Sequence, residues 1–279
     1  HEYLVISGGG ADGAFGAGLL SGCAVNPVTG QRQLMLVSEE DEIQVDRQNA
    51  PHQLSADYGD VQDSLLREYL ASTGGRLVPA THRPGMPYAF HAVNAVYVNA
   101  YAFPGGTIAA TRGILLELES EAELAALLGH ELGHVNARHT ANQMSKTMLS
   151  QAVIGGASAL VGTQSRALGE MAGQLGMVSA GALLASYSRD NEREADALGL
   201  RYMARTGYNP EGFQGLMDLL RRLNQHNPSA IEMMFATHPM SEERYQNTAA
   251  AIRRDYGETQ AQPLYRERYM DHTAGLRRI

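Results

Sequence analysis

Apolar positions recur at helical spacing through most of the chain, and alternate in only one region. In DVQDSLLREYLASTG (60–74), Leu65, Leu66, Tyr69 and Leu70 share a face, and Gly74-Gly75 predicts the end of that helix. SEAELAALLGHELGHVNARHTANQMSKTM (120–148) reads as one long helix. It opens on a capping box, Ser120 with Glu123, and carries an apolar stripe through Leu124, Leu127, Leu128 and Val135. RDNEREADALGLRYMARTG (189–207) predicts another helix, stopped by Gly207 with Pro210 beyond it. PEGFQGLMDLLRRL (210–223) and SEERYQNTAAAIRRDYG (241–257) predict two more. Upstream, SEEDEIQVDRQNA (38–50) begins with an N-cap serine, Ser38, and an acidic first turn. The alternating stretch is YAFHAVNAVYVNAYAFPGG (88–106), closed by the turn residues Pro104-Gly105-Gly106, and GTIAATRGIL (106–115) predicts a further short strand. Helices with a small sheet ahead of the longest helix define an α+β, mainly helical class.

Composition narrows the partners. The 279 residues are 44% hydrophobic and 19% charged, with a formal net charge of -8, an ordinary globular balance. No basic stripe is present, which argues against nucleic acid as a partner. With one cysteine, Cys23, no disulfide forms within the chain and no cysteine-based zinc site exists, so any metal must be held by histidine and carboxylate. Residues 147–165 and 171–188 carry no charge. Their Gly, Ala, Ser and Gln content dilutes their hydropathy, so a pair of closely packed buried helices is expected rather than membrane contact.

The first thirty residues leave three readings open. SGGGADGAFGAG resembles the oxyanion glycines of patatin-like lipid hydrolases, but the G-x-S-x-G elbow that such chemistry needs is missing. Leu20-Ser21-Gly22-Cys23 fits a lipobox after an apolar stretch, without a basic segment ahead of it, and makes Cys23 a candidate lipidation site. A flexible leader is the third reading.

The chemistry concentrates in GHELGHVNARH (129–139). His130 and His134 are one helical turn apart, about 40° around the axis, so both imidazoles can reach one ion. Glu131 lies beside them and can reach a water next to that ion without ligating it, as expected of a zinc peptidase. His139 falls one residue short of the third histidine of a metzincin, and Ala137 replaces the glycine at which the chain turns back. On a continuous helix it would lie about 180° from His130 and point away from the ion, as a surface or second-layer histidine. A third ligand is therefore expected from another helix. In SYSRDNEREADALG, Glu192 and Asp196 share a face, whereas Glu194 lies about 160° from Glu192. Glu192 is then the candidate ligand. Asp196 is the candidate acceptor for the far nitrogen of a ligand histidine, a bond that fixes ring and tautomer.

HELGHVNARH, YSRDNEREADALG, VNAYAFPGGTIAATRGIL and ATHPMSEER together resemble the HtpX-like and CAAX-prenyl-protease family of zinc metallopeptidases, in its soluble periplasmic or lipoprotein branch. The resemblance covers roughly residues 23 to 257. It implies a zincin-like domain with a small antiparallel sheet beside the active-site helix, one Zn2+ on His130, His134 and Glu192, and Glu131 as general base. It also implies that NAYAFPGG forms an edge strand along the cleft, able to take up substrate backbone. It places His238 near the zinc, to stabilise an oxyanion or to occupy the open position and hold the enzyme latent. Arg244 becomes a candidate for binding substrate or anchoring the loop. The implied organisation is a leader over 1–37, a metallopeptidase domain over 38–257 and a tail over 258–279. The implied setting is the periplasm or cell envelope, with protein or peptide substrates. Membrane association would run through a lipidated Cys23 or the 147–188 segment. A latent, protease-like chaperone or assembly factor with a largely structural zinc is the competing reading.

Overall fold

A computed structural model describes residues 23–159 and 186–278 of the chain; the glycine-rich stretch before Cys23 and most of the 147–188 segment lie outside the described residues. A short hairpin, β1 (Cys23–Val25) and β2 (Arg32–Leu34), leads into helix α1 (Glu39–Ala56). Ser38 caps α1 as expected, its hydroxyl accepting from the Asp41 N–H while the Asp41 carboxylate returns to the Ser38 N–H. Helix α2 (Ser64–Leu77) follows, capped by Asp63. Gly74 and Gly75 do not end it. The helix runs three residues past Gly74, whose missing side chain lets the Phe90 ring lie against it: a Cβ there would stand 2.4 Å from that ring.

The sheet contains β3 (Ala89–Val93), β4 (Ala100–Ala102) and β5 (Thr107–Thr111) in the order β3-β5-β4. It is mixed rather than antiparallel, because β3 and β5 pair in parallel and only β4 and β5 run antiparallel. The alternating 88–106 stretch therefore splits into two strands that are not neighbours, and β4 stands at the edge. A short helix α3 (Arg112–Glu117) leads to α4 (Glu121–Asn136), which is buried along its whole length and runs through the centre of the core.

The long helix expected over 120–148 is broken. Helix α4 ends at Asn136, Arg138 adopts a left-handed backbone with φ 58°, and α5 (His139–Ala159) starts afresh. Positive φ is unfavourable for arginine. Its partners offset that cost: buried Arg138 pairs with Glu42 of α1 at 3.1 Å and donates to the Val37 carbonyl at 2.8 Å, and Glu42 also takes Arg83 at 2.6 Å.

Helix α6 (Arg189–Arg205) packs directly on α4, where small residues let the backbones approach. A Cβ on Gly133 would stand 2.9 Å from the Ala195 Cα, and one on Gly199 3.0 Å from the His130 nitrogen. The glycines flanking the histidine pair thus bring α6 close enough for its carboxylates to reach them. Helix α7 (Glu211–His226) adds Phe213, whose ring lies edge-on to His130. Helix α8 (Pro228–Thr237) was not evident from the periodicity; it ends on His238, and α9 (Glu242–Asp255) follows. The segment after 257 packs inward through α10 (Arg266–Thr273): Tyr269 is fully buried and donates to the Leu115 carbonyl at 2.6 Å. Among the described residues no helix is long and apolar enough to cross a membrane.

Candidate metal centre

Four buried side chains converge from three places: His130 and His134 on α4, Glu192 on α6, and His238 after α8. Their ligand atoms all lie within 4.8 Å of one another. The Nε2 atoms of His130 and His134 are 3.0 Å apart. Glu192 Oε1 is 3.3 Å from His134 Nε2 and 3.2 Å from His238 Nδ1, and His238 Nδ1 is 3.3 Å from His130 Nε2. Lone pairs this close, in a dry pocket, are unfavourable without a cation between them. Three imidazoles and one carboxylate in tetrahedral number suit zinc, so the residues present fit a single Zn2+.

Burial and charge set the protonation. Burial alone raises Glu192, but His238, His134 and His130 outweigh it and hold its carboxyl well below the ordinary range. Burial pushes His134 well below its ordinary value, toward the neutral imidazole that a metal needs. Burial raises Glu131, only partly countered by His238 and His130. Both Glu131 carboxylate oxygens are buried without a hydrogen-bond partner, and His238 Nε2 stands 3.7 Å from Oε1. A carboxylate in that condition is a strong acceptor with nothing to accept from.

Around this centre, Asp196 Oδ1 lies 3.0 Å from His130 Nδ1, the nitrogen turned away from the cluster. Arg244 clamps Asp196 with two bonds of 2.7 Å, contacts Glu192 Oε2 at 2.7 Å, and donates to the Pro239 carbonyl at 2.9 Å. It therefore ties the loop carrying His238 to helix α6. Arg244 overcomes the burial that would raise Asp196, and keeps it below its usual value.

His139 does not point away. The break at Arg138 turns it inward, where it is buried with Nδ1 2.9 Å from His134 Nδ1 and Nε2 3.1 Å from Glu194 Oε2. It stays outside the four-residue cluster and touches a ligand's outer nitrogen instead. Tyr187, which the sequence did not single out, stacks on His134 with centroids 3.9 Å apart and bonds Thr140 Oγ1 at 2.9 Å. Nothing local marks it, because its partners lie about fifty residues away.

A helix bearing H-E-x-x-H, crossed by a second helix that brings a glutamate to the same point, defines a metallopeptidase domain of the His2Glu kind. The chain belongs to peptidase family M48, which matches over residues 64–252. It is 30% identical over 188 residues to the beta-barrel assembly-enhancing protease of Yersinia pestis, covering 66% of this chain and 38% of that protein. It is 32% identical over 163 residues to metalloprotease YcaL of Escherichia coli, covering 58% of this chain and 61% of that one. Identity to the mitochondrial metalloendopeptidase OMA1 of Schizosaccharomyces pombe is 27% over 226 residues, 78% of this chain and 63% of that protein. The chain thus spans about two fifths of the Yersinia relative.

Proposed function

We propose that the chain is a zinc-dependent metalloendopeptidase that hydrolyses peptide bonds in misfolded or envelope proteins. The observation that carries this is the pairing of a ready donor set, His130, His134 and Glu192, with Glu131, a buried carboxylate that has both oxygens unpartnered beside it. A zinc ion held there would polarise a scissile carbonyl and lower the pKa of a coordinated water. Glu131 would take the proton from the attacking water and pass it to the leaving amine. Asp196 would hold the tautomer of His130, with Arg244 fixing both Asp196 and the His238 loop. Substrate would lie extended along β4, an edge strand of the sheet, where a cavity of about 440 Å³ opens between α1 and α8 against Tyr97, Tyr101, Phe103 and Met233. Names of relatives that assist β-barrel assembly support an envelope setting. Anchoring through Cys23 and membership of the HtpX-like branch belong to the same proposal.

The latent reading has its own observation. His238 stands within ligand distance of the cluster, so four protein groups can fill a tetrahedral site and leave no open position for water. We propose that this arrangement is the resting state and that hydrolysis requires His238 to withdraw. Digestion of unfolded casein by the zinc-loaded wild type, His238→Ala and His130→Ala proteins tests both readings. The resting-state reading expects His238→Ala to be faster than wild type and His130→Ala to lose zinc and turnover. Equal turnover by His130→Ala would rule the metallopeptidase reading out. Slower turnover by His238→Ala would assign His238 to the oxyanion instead.

A further inference from the structure

The two ligand histidines of α4 are held from behind by different chemistry. Behind His130 stands a carboxylate, Asp196, itself clamped by Arg244. Behind His134 stands another imidazole. We propose that His139, anchored by Glu194, is a positioning residue that fixes the tautomer and ring orientation of His134 for metal binding; the proposal rests on the metal reading above.

The hydrogen-bond geometry allows one assignment of protons. His134 Nε2 faces the cluster, 3.0 Å from His130 Nε2 and 3.3 Å from Glu192 Oε1, so its lone pair must be free for a cation. The His134 proton then sits on Nδ1, which donates to His139 Nδ1 at 2.9 Å. His139 Nδ1 is therefore the acceptor, and its own proton sits on Nε2, which donates to Glu194 Oε2 at 3.1 Å. Every nitrogen has a single role, and reversing either tautomer leaves two N–H groups or two lone pairs facing each other. Tyr187 closes the remaining face of the His134 ring by stacking, and its hydroxyl is held by Thr140, the residue after His139. The left-handed Arg138 makes this possible, because an unbroken helix would carry His139 to the far side. Glu194, which helical spacing turns away from the metal, thereby acts on it through two rings.

A bond from a ligand histidine to an outer partner is worth roughly 10–100-fold in metal affinity. Zinc affinity, measured by chelator competition on the full chain, separates the cases. His139→Leu keeps the bulk but offers no acceptor, and is expected to bind zinc about 10–100-fold more weakly. His139→Asn puts Oδ1 where Nδ1 was and should restore affinity to within a few-fold of wild type. Glu194→Ala should fall between them. The visible spectrum of the Co2+ form, which reports ligand geometry, should change in His139→Leu and return in His139→Asn. Wild-type affinity in both His139→Leu and Glu194→Ala overturns the proposal, as does equal weakening by His139→Leu and His139→Asn. Should His139→Leu not fold, Glu194→Ala decides, since the Glu194 side chain is partly exposed where His139 is buried. Failure of wild type to bind zinc would instead sink the metal reading itself.

Discussion

Helix α4 carries two fully buried glutamates ten residues apart, and they live in opposite conditions. Glu121, in the first turn, accepts from the Tyr69 hydroxyl at 2.9 Å, the Tyr208 hydroxyl at 2.9 Å and Arg268 at 2.5 Å, with Arg76 at 3.5 Å. Glu131, in the middle, accepts from nothing. The helix N-terminus also favours the negative charge on Glu121, and offers nothing to Glu131. A buried carboxylate survives without partners only where the surrounding fold over-determines it, and such groups collect where chemistry is done. The contrast separates a carboxylate that joins α4 to α2, α10 and the turn between α6 and α7 from one held in reserve for a ligand.

Replacing each glutamate should break the contrast in different observables. Glu131→Gln is expected to lower turnover on unfolded protein by about 10²–10⁴-fold, the usual worth of a general base, with zinc content unchanged. Full turnover by a zinc-loaded Glu131→Gln protein would remove Glu131 from the mechanism. Glu121→Ala should act on stability instead. It strands Arg268 and two tyrosine hydroxyls in or beside the core, at about 3–5 kcal/mol, read from urea unfolding. Zinc affinity of the fraction that remains folded should match wild type, and loss of affinity at equal folding would show that the two glutamates are coupled.

A pH titration sharpens the same contrast at smaller scale. Burial raises the Glu131 carboxyl in the fold, so the folded chain holds that proton more tightly than the unfolded one. The contribution to stability is then complete below the ordinary carboxylate pKa of about 4.3 and fades as pH rises through the raised value. In metal-free protein, Glu131→Gln should abolish that fade and leave the variant at least as stable as wild type at neutral pH. A Glu131→Gln protein that melts lower than wild type at neutral pH would mean that the carboxylate has a structural partner after all.

How much of this was legible depends on where each partner lies. His130, Glu131 and His134 were readable because one helical turn holds them, and Glu192 with Asp196 because a second turn does the same. The caps at Ser38 and Ser120 were readable for the same reason, although the box expected at Ser120 stays half formed, because the Glu123 carboxylate accepts from the Glu119 N–H at 2.6 Å. The direction of His139, though not its place outside the ligand set, was misread because the break before it has no local marker. Neither glycine nor proline marks the break, and the Arg138 side chain is held by Glu42 and Val37, about a hundred residues upstream. The sheet order was hidden likewise, since parallel pairing of β3 with β5 is decided by packing rather than alternation. Glu121 looked like an ordinary acidic residue of a first turn. Its partners at 69, 208 and 268 share no spacing with it.

The mildest change probes how far Glu121 exceeds its needs. Tyr208→Phe removes one donor to Oε1 but leaves Arg268 and Arg76 on the same oxygen, so no buried acceptor is orphaned. The expected cost is about 0.5–1.5 kcal/mol, the net worth of one hydrogen bond, with zinc affinity and turnover per folded molecule unaltered. Tyr69→Phe, acting on Oε2 beside Arg268, should cost a similar amount. Because both hydroxyls share one carboxylate, the double variant should cost more than the sum, as Arg268 and the more distant Arg76 are left to satisfy both oxygens. Strict additivity in urea unfolding would mean that the two hydroxyls act independently, each serving its own oxygen of Glu121. No loss of stability in either single variant would instead mean that the distinction from Glu131 rests on Arg268 and Arg76 rather than on a filled shell of donors.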